Sequence, residues 1–288
     1  MTRATQLPDE PNWKRRARLQ HWLATAILVI VAAIFLLPLI WMLSSSLKPE
    51  YQVFEMPPRL IPHPVRWQNY REALTYVPFG RYSFNTAFIT LMVIVGHVLS
   101  CTLVAYGFAR LRAPGRDTLF ILVLATLMLP YPVTMAPLYV LFNRLGWVNT
   151  FLPLIVPAYF GSAFYIFLLR QFFLRIPNEL EDAARIDGAN LAQILYRIIL
   201  PLSMPAIATV AIFTFQFTWN DFLTPLIYLH DQRLYTVALG LNFFRSSFQV
   251  NWAYLMAASL VTMLPVLVVF FLAQRLFIQG ISVSGIKG

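Results

Sequence analysis

The chain has 288 residues, of which 59% are apolar, 15% aromatic and only 12% charged, with a mean hydropathy of +0.65; soluble globular domains carry roughly a quarter of charged residues. This composition excludes a soluble fold and a disordered chain, and the single cysteine, Cys101, excludes a disulfide scaffold. The net charge of +10 does not indicate nucleic acid, because no soluble surface is available on which the cations could cluster.

With Asp, Glu, Lys and Arg as boundaries, six long uncharged runs remain: Leu19 to Leu47, Tyr82 to Ala109, Thr118 to Asn143, Leu145 to Leu169, Ile198 to Asn220 and Ser246 to Gln274. Each exceeds the roughly 20 residues that a helix needs to cross about 30 Å of hydrocarbon. None shows the period-2 alternation of a lipid-facing barrel strand. The expected fold class is therefore an all-α membrane protein with six transmembrane helices at about 20–44, 83–109, 118–141, 150–172, 205–229 and 252–276, within a transmembrane domain spanning 19–278. The first run is too long for the h-region of a signal peptide, so helix 1 is expected to stay uncleaved.

Placing the N-terminal segment 1–18 in the cytoplasm puts 14 of the 22 Lys and Arg residues inside and eight outside, five of the eight in the long segment between helices 1 and 2. Cytoplasmic loops carry the positive excess, so both termini, including the tail 279–288, are expected on the cytoplasmic side. Prolines at 38, 130, 132, 137, 153, 157, 225 and 265 lie in or beside the spans. Each removes a helical N–H and frees a carbonyl, which predicts a bundle of kinked helices.

Enzymatic motifs are missing. Gly280 and Gly285 have P-loop spacing, but Ile286 precedes Lys287 and Gly288 follows it, so no nucleotide site is expected. The four histidines are scattered without metal-ligand spacing. Asp221 is the one carboxylate inside an expected span, and an intramembrane acid is functional by default. With Trp219 and Asn220 it forms a candidate translocation cavity. The same Asp221 would be the coupling group if the chain were instead a secondary transporter driven by an ion gradient; a structural scaffold is a third reading.

The informative stretch is the cytoplasmic loop 174–204, between helices 4 and 5. Asn178 followed by Glu181 forms a capping pattern, and Glu179, Glu181 and Asp182 crowd the positive end of a short helix. Gly188 is placed to end that helix in the left-handed conformation, and Asn190 with Gln193 to start another. Leu180, Ala183, Ala184 and Asp187 share one side, a small flat face suited to a groove on another protein. The alternative is an amphipathic helix lying on the membrane, although an acidic start disfavours an anionic leaflet.

Asp182, Ala183, Ala184, Asp187, Gly188 and Ala189, followed by Leu200 and Pro201, resemble the EAA loop of the inner-membrane permeases of ATP-binding-cassette importers, with Asp182 where the motif usually has Glu. The segment SSLKPE (Ser45 to Glu50), Asn69 with Tyr70, WNDFLTPL (Trp219 to Leu226) and QGISVSGIKG from Gln279 resemble the second, maltose-type permease of carbohydrate importers. The resemblance implies a permease for a sugar or related polyol, with Glu181, Asp182, Ala183, Ala184, Asp187, Gly188 and Ala189 coupling it to ATPases. It also implies a second, different permease, two cytoplasmic ATPase subunits that hold the ATP and Mg, and an extracytoplasmic solute-binding protein. No cofactor is expected on this chain. The outer segment from Lys48 to Arg81 and the loop from His230 to Arg245 would meet the binding protein, and the tail would either reach the ATPases or remain disordered.

Overall fold

The structure is a computed structural model that describes residues 12–245 and 250–282. Among these residues the secondary structure is helical, apart from a single antiparallel bridge between Arg245 and Val250. In chain order the helices are α1 (Asn12–Ser46), α2 (Gln68–Tyr76), α3 (Phe79–Arg110), α4 (Arg116–Ala125), α5 (Tyr131–Arg144), α6 (Leu152–Ile155), α7 (Ala163–Phe173), α8 (Asn178–Ile186), α9 (Leu191–Ile194), α10 (Leu200–Leu202), α11 (Met204–Trp219), α12 (Leu223–Tyr228), α13 (Val237–Gly240) and α14 (Trp252–Ser282).

Four stretches are long and apolar enough to cross a membrane: Gln20–Ser46, Phe79–Arg110, Leu152–Phe173 and Trp252–Gln274. Two bent pairs make six when each counts as one span: Arg116–Met128 with Tyr131–Arg144, at 98°, and Leu191–Leu202 with Met204–Trp219, at 76°. The span expected at 118–141 is thus two pieces, the expected proline kink being a full break. Pro130 has no N–H to continue the helix and forces the residue before it out of the α region, and Leu129 is accordingly extended at ψ 109°. The expected helix at 205–229 is also two pieces, interrupted between Trp219 and Leu223. Gly161, at φ +89°, breaks the expected helix at 150–172 ahead of α7. The tail expected from residue 279 is helical through Ser282; residues 283–288, like residues 1–11 of the expected N-terminal segment, lie outside the described residues.

The centre of the bundle is α3. Its buried positions, Tyr82, Thr86, Ile89, Val93, Gly96, Cys101, Ala105 and Ala109, recur mostly every three or four residues and form one stripe. That stripe packs on α7, α11 and the tight turn Val156–Phe160. Gly96 permits a close approach there, since a Cβ would lie 2.9 Å from the Tyr159 ring. In contrast α1 lies along α14 with its apolar side chains outward: Phe35 is 79% exposed. An apolar helix without a cover of its own is soluble only in lipid or against another subunit.

Candidate functional site

The segment from Ile176 to Leu202 sits at the Arg110 end of α3. Pro177 is the N-cap of α8, not Asn178, and no side chain caps it. The helix ends in a Schellman motif: Ala189 N–H donates to the Ala184 carbonyl at 2.9 Å and Gly188 N–H to that of Arg185 at 3.0 Å. Gly188 is left-handed, at φ +82°. Asn190 and Gln193 then form a reciprocal capping box, with N–H to side-chain oxygen distances of 2.8 and 2.9 Å. A π-helical turn, Leu195–Ile199, links α9 to α10.

The expected coupling residues separate into two sets. Asp182, Ala183, Asp187 and Gly188 are exposed, and so are Leu180 and Ile186, the latter at 87%. Ala184 and Ala189 are half-buried and pack on a core containing Tyr106, Phe173, Ile194 and Ile199. The expected flat face therefore loses Ala184 to the bundle and gains Ile186. A bare isoleucine on the helix that also carries exposed Glu179, Asp182, Arg185 and Asp187 presents apolar area beside charge, a surface suited to a partner with an apolar pocket and a polar rim.

Glu181 also turns inward. Its side chain is 4% exposed, and its Oε1 lies 2.8 Å from Arg110 Nε, with Arg110 6% exposed. The contact is one of charge, as the Nε–H is not aimed at the oxygen. Arg110 spends its other donors on the same segment: Nη2 on the carbonyls of Phe173 (2.7 Å) and Ile176 (2.5 Å), and Nη1 on Asn178 Oδ1. Asn178 is thus an acceptor for Arg110 rather than a helix cap. Half-exposed Arg185 reaches Glu181 Oε2 at 3.7 Å and Asp182 Oδ1 at 3.5 Å.

Toward the other end of α3 lies a cavity of about 150 Å³ lined by Thr86, Ile89, Pro153, Leu154, Thr218, Asp221, Thr224, Pro225 and Thr236. Asp221 is at the break between α11 and α12, where its Oδ1 accepts from Thr224 N at 3.1 Å. Trp219 and Asn220 do not line it. Trp219 is buried, its indole N–H donating to the Thr262 carbonyl at 3.1 Å, and Asn220 folds back on the Gln216 carbonyl at 2.8 Å. Among the described residues no group of three or more His, Cys, Asp or Glu side chains could hold a metal ion.

The far end is tied by residues that sequence reasoning noted only as resemblance or missed. Asn69 is buried and donates to the carbonyls of Ser46 and Lys48, both at 2.8 Å, closing the end of α1. Glu50 accepts from Trp252 N and Ala253 N, each at 2.9 Å, capping α14 from 202 residues away. Asn85 donates to the carbonyls of Arg233 and Tyr235, and Thr86 Oγ1 accepts from Val237 N. Asn149, left-handed at φ +62°, accepts from His230 N and Asp231 N. Lys48 is fully buried with its Nζ 4.2 Å from the centroid of the Trp41 ring; burial pushes its pKa down, against nearby Glu55. The Glu72 carboxyl is held below the usual carboxylate range, first by the Tyr254 hydroxyl hydrogen bond (2.5 Å) and, against some desolvation, by Arg66 (2.9 Å).

A multi-pass bundle of broken helices, with a capped helical segment presented at one end and a small polar cavity in the opposite half, defines an integral-membrane transport subunit. Residues 101–283 match the family "Binding-protein-dependent transport system inner membrane component", and the chain belongs to that family. It is 33% identical to the arabinooligosaccharides transport system permease protein AraQ of Halalkalibacterium halodurans over 282 residues, covering 96% of this chain and 99% of that one. It is 35% identical to the probable ABC transporter permease protein YurM of Bacillus subtilis (87% and 83% covered), and 34% identical to the sn-glycerol-3-phosphate permease UgpE of Yersinia enterocolitica (88% and 93%). The fold matches a chain of a bacterial ABC transporter that imports the acidic polysaccharide alginate, with TM-score 0.79, 23% identity and 93% and 99% coverage. The protein is thus a multi-pass inner-membrane component of a transport system that works with a binding protein. The ion-gradient reading of Asp221 finds no support in this family, and the Asp221 carboxylate is engaged in starting α12.

Proposed function

We propose that this chain is one of two different permease subunits of an ATP-binding-cassette importer for a carbohydrate or related polyol, with both termini cytoplasmic. The observation that carries the coupling role is the exposed face of α8, stopped by a Schellman motif at its C-terminal end and followed at once by the capping box that starts α9. In this reading the ATPases dock Asp182, Ala183, Ile186, Asp187 and Gly188, supply the ATP and Mg sites, and drive α8 when they close. Relatives named for arabinooligosaccharides and for sn-glycerol-3-phosphate support the solute class.

The cavity at Asp221, about 150 Å³, is below the roughly 300–1,000 Å³ of sites that enclose a drug-sized ligand. An oligosaccharide therefore needs walls from a second permease, and Asp221 with its neighbouring threonines is one polar wall of a path completed across the subunit interface. At the far end, the ordered platform of residues 48–81 and 230–245 is the landing surface for the solute-loaded binding protein.

The test uses the Cys101→Ser background. Ile186→Cys should form a disulfide with a cysteine introduced on the ATPase and should stay unlabelled by an impermeant thiol reagent in intact cells, whereas Gln68→Cys, exposed at the far end, should label. Labelling of position 186 from outside would reverse the topology, and absence of any crosslink to the ATPase would remove the coupling role.

A further inference from the structure

The last residue of α3 is tied to the coupling segment more tightly than apolar packing requires. A single guanidinium contacts Phe173, Ile176, Asn178 and Glu181, four points within nine residues. Arginine suits this task because its fork presents donors in fixed directions, where a lysine would offer one mobile charge. We propose that the buried Arg110–Glu181 pair is the joint that makes α8, α3 and the end of α7 move as one body, with Arg110 and Glu181 as positioning residues. The inference rests on the reading of α8 as the ATPase-driven element.

Three observations support a joint at this pair. Both side chains are almost wholly buried within this chain alone, so water and salt do little to screen or replace the contact. The other bonds holding α8 to the bundle are permissive: Ala184 and Ala189 are small apolar surfaces that can slide, and Arg185 is half-exposed at 3.7 Å from Glu181. Pulling α8 away from α3 would leave two buried charges unpaired, a costly state, so α3 follows α8. Ile89 on α3 lines the Asp221 cavity, 21 positions before Arg110, or about 32 Å at the α-helical rise. A displacement imposed at Glu181 is therefore delivered along one continuous helix to the cavity wall.

The experiment uses the complete reconstituted importer with its ATPases and binding protein. The double variant Arg110→Met/Glu181→Leu leaves no unpaired charge and fills the same space with apolar groups, a replacement that buried ion pairs commonly tolerate. It should assemble and hydrolyse ATP while solute transported per ATP falls roughly tenfold, within the ~5–150-fold range of ordinary coupling between sites. Wild-type transport per ATP from this variant would overturn the proposal. A second measurement needs no change at the pair: spin labels at Arg112 and Ile186, both exposed, should keep the same separation in the nucleotide-free and ATP-bound complex. A change of more than one hydrogen-bond length, about 3 Å, would equally overturn it. If labels separate while Ile186→Cys still crosslinks to the ATPase, the joint fails and the coupling role stands; if the crosslink is absent, the coupling role itself fails.

Discussion

The two ends of α3 are fastened by different chemistry. At the Arg110 end one guanidinium and one carboxylate, both buried, carry the directional part of the attachment. Toward the Phe79 end α3 itself is held by Asn85 and Thr86, while Asn69, Asn149 and Glu50 tie the segments around it, each bonding backbone groups of a distant stretch. Distributed bonds to backbone make a platform that survives the loss of any single contact, as suits a surface on which a partner repeatedly lands. A concentrated ion pair makes a joint whose failure is all-or-none, as suits the transmission of a push.

The comparison breaks most visibly at the concentrated end. Arg110→Met alone leaves Glu181 buried without its cation, and removing one partner of such a pair costs about 3–5 kcal/mol; the protein should lose most of its yield and its melting point in detergent, measured by fluorescence-detected gel filtration after heating. At the distributed end Asn69→Ala strips donors from two buried carbonyls, for about 1–3 kcal/mol, and should lower the melting point while leaving transport at permissive temperature near normal. Glu50→Ala removes the cap of α14, worth about 0.5–2 kcal/mol, and the same assay should rank it at or below Asn69→Ala.

Gly188→Val tests geometry rather than attachment. A Cβ there meets no atom of this chain within 4 Å, so the cost is left-handed strain, about 1–2 kcal/mol. Insertion should be normal while binding-protein-stimulated ATP hydrolysis falls, with Gly188→Ala milder. The smallest effect is one of pH. Glu72 has a folded-state pKa below its unfolded value, so the stability it contributes is full above the usual carboxylate range and is lost as pH falls through the folded pKa. Tyr254→Phe removes the first cause of that shift and should flatten the acid limb of a melting-point profile, with no change of slope between neutral pH and about pH 6, where the carboxylate stays ionised in both proteins.

Much of the architecture was legible because apolar run length reports directly on membrane solvation. What was not legible followed from local backbone choices. A kink at Pro130 was expected in the run at 118–141, but not that it would turn the chain by 98°. Trp219, Asn220 and Asp221 are adjacent in sequence, but successive residues near a helix end point about 100° apart, and only Asp221 reaches the cavity. Ala184 was placed on a docking face from spacing, and Glu181 among the coupling residues from resemblance, whereas the α8 face that meets the bundle depends on where Arg110 stands. Arg110 had registered only as a topology charge; its position as the last helical residue of an apolar span was the available signal. Gly188, by contrast, was readable, since a glycine after a short acidic-start helix has a specific conformational use.

The central claim is that this chain passes solute only when ATPases drive it. The direct measurement is uptake of a carbohydrate panel into proteoliposomes holding this chain, its partner permease and the ATPases, with the binding protein outside and ATP sealed inside. The account predicts accumulation that requires internal ATP and loaded binding protein and is indifferent to proton or sodium gradients. Uptake by this chain driven by an ion gradient without ATP would contradict it.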